Sequence, residues 1–77
     1  MEIQYEYVRV ADDLARQIEG GKIPIGGRLS DERSLADEYS VSAGTVRRAV
    51  QELRDRGLVT TLPGKGTYVV RQTPDVS

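Results

Sequence analysis

The chain has no cysteine, no histidine, no tryptophan and no phenylalanine among its 77 residues. Without cysteine there are no disulfides and no thiolate chemistry. Without histidine the commonest general base and the commonest metal ligand are both missing. With two of the large aromatics absent, the core has to be built from Leu, Val, Ile, Ala and the four Tyr, which keeps it modest. Long apolar runs are lacking too. Neither a signal sequence nor a membrane span is expected, and the expected setting is cytoplasmic with no membrane partner. The length allows one small domain.

An excess of positive charge is also absent. Lys and Arg total 11 and Asp and Glu total 12, a net of −1. The balance shifts along the chain: residues 1–27 hold 3 cations against 5 acids, whereas residues 28–66 hold 7 against 6. A polyanion such as DNA would have to be met by charge gathered through geometry, because composition does not supply it.

What is present is clear periodicity. Tyr7, Ala11, Leu14, Ala15 and Ile18 form one stripe of a helix over 6–19, and Gly20-Gly21 stop it. Pro24, Gly26 and Gly27 mark a turn, with Arg28-Leu29 as a very short strand beyond it. Ser30 is the expected N-cap of a second helix running to about Tyr39 and burying Leu35, Ala36 and Tyr39. After Ser40-Val41-Ser42 a third helix begins at Ala43 or Gly44. It buries Val46, Ala49, Val50 and Leu53 and ends before Gly57. "LVTTL" (58–62) and "TYVV" (67–70) flank "PGKG" (63–66), which predicts a β-hairpin. Leu29, Val41, Leu58, Val59 and Val69 complete the expected core. Residues 71–77 read as a flexible C-terminal tail.

Three helices, the last two joined by a tight turn, followed by a hairpin make a mainly α fold with a small β-wing, a winged helix-turn-helix. At about 100° per residue, the third helix turns Gly44, Arg47, Arg48 and Gln51 away from its buried stripe. Two arginines near a helix N-terminus oppose its dipole, so helix stability does not account for them. Arg can pair with guanine and Gln with adenine through two hydrogen bonds each. Gly44 lets the helix backbone come close to a duplex, and the Ser42 and Thr45 hydroxyls suit phosphate oxygens. A solvated face remains the ordinary alternative, most of all for Arg48, which Glu52 could hold. Lys65 between Gly64 and Gly66 is either plain turn chemistry or a wing tip aimed at a minor groove or backbone. "GKGT" is not a nucleotide loop, since it is too short and no helix follows. Asp12-Asp13 and Asp37-Glu38 read as solvated helix faces.

The stretches "IPIGGRLSDERSLADEYSVSAGTVRRAVQELRDRGLV" and "GKGTYVV" resemble the GntR family of bacterial transcription regulators from about Tyr7 to Val70. The resemblance implies that Arg33 contacts DNA from the second helix, that Arg47 reads guanine beside Thr45, and that Gly64, Lys65 and Gly66 form the wing contact. Four positions depart from the family pattern. Ser30 stands for a proline, Asp31 for a serine, and Ala43 for a DNA-contacting arginine. Ser40 stands for a glycine, which costs about 1 kcal/mol if the turn needs a left-handed backbone.

The expectations follow. Residues 1–70 form a DNA-binding domain with its recognition helix at about 43–56. Its function is sequence-specific binding of double-stranded DNA in bacterial transcriptional regulation, as a repressor. The DNA-binding residues are Arg33, Ser42, Gly44, Thr45, Arg47, Arg48, Gln51, Gly64, Lys65 and Gly66. The target is a pseudo-palindromic operator met by a weak or DNA-induced homodimer. No cofactor, metal or catalytic residue is expected. The family's second domain, which binds an effector and dimerises, has no counterpart before the chain stops. A natural minimal regulator without an effector pocket is favoured over an excised domain. A winged helix used for protein–protein contact is the alternative. A small enzyme is the least supported reading, with no nucleophile–base pair to carry it.

Overall fold

The computed structural model describes residues 5–73. The stripe in the first segment winds α1 (Glu6–Glu19), and its inner face buries Val10, Ala11, Leu14, Ala15 and Ile18. Next come α2 (Glu32–Tyr39), α3 (Ala43–Asp55), β1 (Val59–Leu62) and β2 (Gly66–Val69). The two strands pair antiparallel, with Val59 opposite Val69 and Leu62 opposite Gly66. Arg28 pairs with Tyr68 across the open edge of β2 as an isolated bridge, which stands where the short strand Arg28-Leu29 was expected. The tail expectation is partly outside the description: residues 74–77, like residues 1–4, lie outside the described residues.

Leu29, Leu35, Val46, Ala49, Leu53, Leu58, Val59 and Val69 join the α1 stripe in one core. Val10 is fully buried and was missing from the expected set, although it sits three residues from Tyr7 on the same stripe. Ala36, Val41 and Val50 are half-buried, packed at the core's edge. Tyr39 is also half-buried, because its hydroxyl reaches out to α1. There it donates to Asp13 at 2.5 Å and accepts from the Gln17 amide at 3.1 Å.

At the ends of α2 one expectation changes and one condition is met. The N-cap of α2 is Asp31, whose carboxylate accepts the Ser34 N–H at 2.8 Å. The Leu29 N–H is donated to the Thr67 carbonyl at 2.9 Å, which keeps the chain extended past the point where Ser30 could cap. Ser40 takes the left-handed conformation (φ 54, ψ 47) that ends α2 and turns the chain into α3. A glycine would adopt it freely, so Ser40 carries backbone strain there. Asp12 and Asp13 are not free on a solvated face: Asp12 accepts from Arg56 at 2.7 Å, and Asp13 ties α1 to α2. Among the described residues, no helix is long and apolar enough to cross a membrane.

Candidate nucleic-acid interface

Val46, Ala49 and Leu53 are wedged into the core, and this fixes which way α3 faces. Its outer side carries Gly44, Arg47, Arg48, Gln51 and Arg54 around one shallow depression. Toward the helix start, Gly44 and Arg48 also line a second depression with Ser42, Thr45, Tyr5, Glu6 and Tyr7. Toward the wing, Arg47 and Arg54 line a cleft of about 270 Å³ that also includes Arg28, Glu32, Thr61 and Gly66. The shared residues join these three depressions into one continuous surface. Of the expected residues it gathers Ser42, Gly44, Thr45, Arg47, Arg48, Gln51 and Gly66. Arg33, at the second position of α2, and Gly64 and Lys65, at the wing tip, are exposed and line none of the three. Glu6 of α1 also lies on this surface.

The helix start is built for an acceptor. The Ser42 hydroxyl oxygen caps α3 by accepting the Thr45 N–H at 3.1 Å, and the two hydroxyls lie 3.0 Å apart. One hydroxyl of the pair donates to the other, so one O–H remains for an outside oxygen. Nothing inside the fold requires glycine at 44. A Cβ there would meet only the Ser42 Oγ at 3.8 Å, so the position is open on the outer side.

Several expected readers have partners in this state. Arg47 makes a two-pronged contact to the Glu32 carboxylate, Nε to Oε2 at 3.1 Å and Nη2 to Oε1 at 2.8 Å. Those hydrogen bonds raise the Arg47 pKa further, so the guanidinium is always charged. Its side chain is 67% exposed, and an ion pair so open to water is weak and exchangeable. Arg48 is not held by Glu52. Its guanidinium lies 4.7 Å from the centre of the Tyr7 ring, a cation–π contact, and Tyr7 in turn stacks on Tyr5. Glu52 binds Arg56 instead. Gln51 is occupied at both ends, its Nε2 donating to Asp55 at 3.0 Å and its Oε1 accepting from Arg54 at 2.6 Å. Reading an adenine would require Gln51 to release both.

Gly66 is a glycine for an internal reason. Its φ is 128, and a Cβ there would collide with the Arg28 guanidinium, which lies across it. Arg28 and Arg54 were absent from the expected site. Arg54 carried a signal, since it continues the Arg47–Gln51 face at i+7. Arg28 carried none, because only its bridge to Tyr68 across the sheet brings it there.

Charge resolves the problem set by the net of −1. Among the described residues, Arg9, Arg16, Arg47 and Arg56 each have a carboxylate within 3.9 Å. Arg28, Arg33, Arg48, Arg54 and Lys65 make no such pair, and they sit on the loop before α2, on α2, on α3 and on the wing. Of these, Arg28, Arg48 and Arg54 line the joined surface around α3, while Arg33 and Lys65, and Lys22 after α1, which has no such pair either, lie outside it.

The family model "Bacterial regulatory proteins, gntR family" matches residues 6–69. The transcriptional regulator SmoD of Agrobacterium fabrum is 33% identical over 63 residues, covering 82% of this chain and 27% of SmoD. MngR of Escherichia coli K12, named as the mannosyl-D-glycerate transport/metabolism system repressor, is 36% identical over 63 residues, covering 82% of this chain and 26% of MngR. The chain thus spans about a quarter of the length of these relatives. The crystal structure of the AraR DNA-binding domain in complex with operator ORR3 superposes with a TM-score of 0.84 at 29% identity, covering 90% of this chain and 83% of that one. The match runs through all three helices and both wing strands, and the chain belongs to the gntR family of bacterial regulatory proteins.

Proposed function

We propose that this chain is a sequence-specific module for double-stranded DNA in bacterial transcriptional regulation, working in the cytoplasm as the DNA-binding part of a repressor. The observation that carries it is the surface around α3 of an acidic chain, lined by Arg28, Arg48 and Arg54, which make no carboxylate pair among the described residues, and by the exposed Arg47. The likeness to an operator-bound domain supports it, and the name of MngR supports the negative sign of regulation. The module is assigned to residues 1–70.

In this reading α3 enters the major groove, and Arg47 exchanges Glu32 for a guanine edge. The exchange is inexpensive because the pair is solvent-exposed. Arg48 stays on Tyr7 and presents its charge to the backbone beside the α3 start, where Ser42, Thr45 and the open Gly44 meet phosphate oxygens. Arg33 adds a contact from α2. Gly64, Lys65 and Gly66 bring the wing to the minor groove or backbone. Two copies pair on a pseudo-palindromic operator, with half-sites about one helical turn apart.

Selection of bound sites from a random duplex pool, followed by titration with salt, tests this. An enriched palindrome whose affinity falls steeply with salt is expected. No enriched motif, together with salt-insensitive binding to other proteins, would replace this reading with a winged helix used for protein contact.

A further inference from the structure

A duplex constrains anything that touches two neighbouring grooves. Major and minor grooves are separated by a sugar–phosphate strand, so a protein reaching into both must straddle that strand. Here the two reaching parts are α3 and the wing, and the concave space between them is the 270 Å³ cleft. One water occupies about 30 Å³ of liquid, so the cleft has room for a phosphodiester group and its first waters.

The cleft is fitted for an anion on its wing side. Arg54 donates from Nη1 to the Thr61 hydroxyl at 2.6 Å and from Nη2 to the Gln51 oxygen at 2.6 Å. Both partners are neutral, so the guanidinium is held in place while its charge stays uncompensated. The Thr61 hydroxyl lies 2.9 Å from that of Thr67, so the wing presents two hydroxyls beside the cation. Arg28 lies across Gly66 and makes no carboxylate pair among the described residues, although it feels Asp31 at longer range. The two acids lining the cleft, Asp31 and Glu32, sit on the α2 side and are occupied. Asp31 accepts the Ser34 N–H at the helix start, and Glu32 holds Arg47 until DNA takes Arg47 away, after which Arg28 and Arg54 have to outweigh the one carboxylate released at the cleft.

We propose that this cleft seats the phosphodiester strand between the two grooves, with Arg28 and Arg54 as the cations that hold it. The inference rests on the DNA-binding reading and adds to it two phosphate ligands that contribute affinity without base preference.

The test compares the full chain with Arg28→Ala, Arg54→Ala, Arg54→Lys and Thr61→Val. Each is titrated with salt on the selected duplex and on a scrambled duplex, and thermal unfolding confirms that each is folded. Each alanine variant is expected to weaken binding to both duplexes by the same factor. Each should also lower the steepness of log affinity against log salt by about 0.9 per bound copy, the contribution of one neutralised phosphate in each half-site. Arg54→Lys should keep the steepness because it keeps the charge. Thr61→Val should keep it too, since it removes only the strut to the wing. Wild-type affinity and steepness in both alanine variants would overturn the inference while leaving DNA binding intact. So would a changed base preference at unchanged steepness. Thr61→Val reproducing the loss of Arg54→Ala would make Arg54 a wing strut and remove it from the phosphate seat. Failure of the wild-type chain to bind either duplex would remove the functional reading itself.

Discussion

Arg47 near the start of α3 and Arg56, the residue that caps its end, are each held by carboxylates, yet they serve different parts of the molecule. Arg56 is 25% exposed and sits between Asp12 of α1 and Glu52 of its own helix, at 2.7 and 3.1 Å. Burial works against its charge, and the two carboxylates outweigh burial and raise its pKa. Arg47 is 67% exposed and holds a single carboxylate from the preceding helix. The first arrangement fastens the end of α3 to α1. The second keeps a charged fork in position until a stronger acceptor arrives. The same residue type is structural at one end of the helix and available at the other, and the number of carboxylates and the access of water decide which.

The comparison breaks most completely if the shared core is opened. Leu53→Ala removes a fully buried side chain that both sides depend on. It should cost about 2–5 kcal/mol, a large part of the stability of so small a domain. Urea unfolding measures the loss, and a cost no larger than that of a surface site, about 0.5 kcal/mol, would mean that α3 is not anchored as described.

Arg47→Ala should leave that stability nearly unchanged and weaken binding to the preferred duplex by roughly 5- to 150-fold, with relaxed preference at one position per half-site. Affinities for the preferred and the scrambled duplex decide it. Equal weakening on both would make Arg47 an anchor on the backbone and leave the reading to another residue.

Ser40→Gly relieves the left-handed strain between α2 and α3 and should stabilise the fold by about 1 kcal/mol. Thermal unfolding checks it. An unchanged or lower midpoint would show that the Ser40 side chain contributes something the glycine lacks.

The smallest effect belongs to the structural side alone. The hydrogen bond from Tyr39, aided by Gln17 and Arg16, holds the Asp13 carboxyl below its usual range. Burial and Asp13 push the Tyr39 hydroxyl the other way, so it stays protonated and donating. A depressed carboxyl contributes stability that is full above its unfolded-state value, about 3.9. That contribution is lost as pH falls through the lower folded value. Midpoints measured between about pH 5 and pH 2 should fall less steeply for Asp13→Asn than for the wild type. Part of the slope should remain, because Asp31, bonded to the Ser34 N–H, is depressed as well. Identical slopes would show that Asp13 gains nothing from Tyr39.

The fold was legible because its signals are local. The α1 stripe, the Gly57 stop and the change of period after it each lie within a few residues, and the elements form where they point. The α2 cap was misplaced by one residue because the deciding event, Leu29 pairing with Thr67, is distant in sequence. The same limit governs the candidate interface. The outward direction of Gly44, Arg47, Arg48 and Gln51 follows from helix geometry alone. The partners do not: Glu32 for Arg47, Tyr7 for Arg48 and the wing for Arg28 all cross between elements. Gln51 is a different case. Its neighbours Arg54 and Asp55 are both within a turn, and the possibility that they take up its amide is visible in the sequence.

The three fully buried residues of α3 have a consequence for how binding preference can change. Rotating the helix by one residue would drive Arg47 toward the interior and lift a core side chain into water, so the helix cannot turn to suit a new operator. Its outer positions are a different matter, since Gly44, Arg47, Arg48 and Gln51 are exposed and a side chain at 44 meets open space. A library randomised at those four positions should therefore hold mostly folded members. Altered operator preference should arise in it by exchange of side chains on a helix that itself stays still.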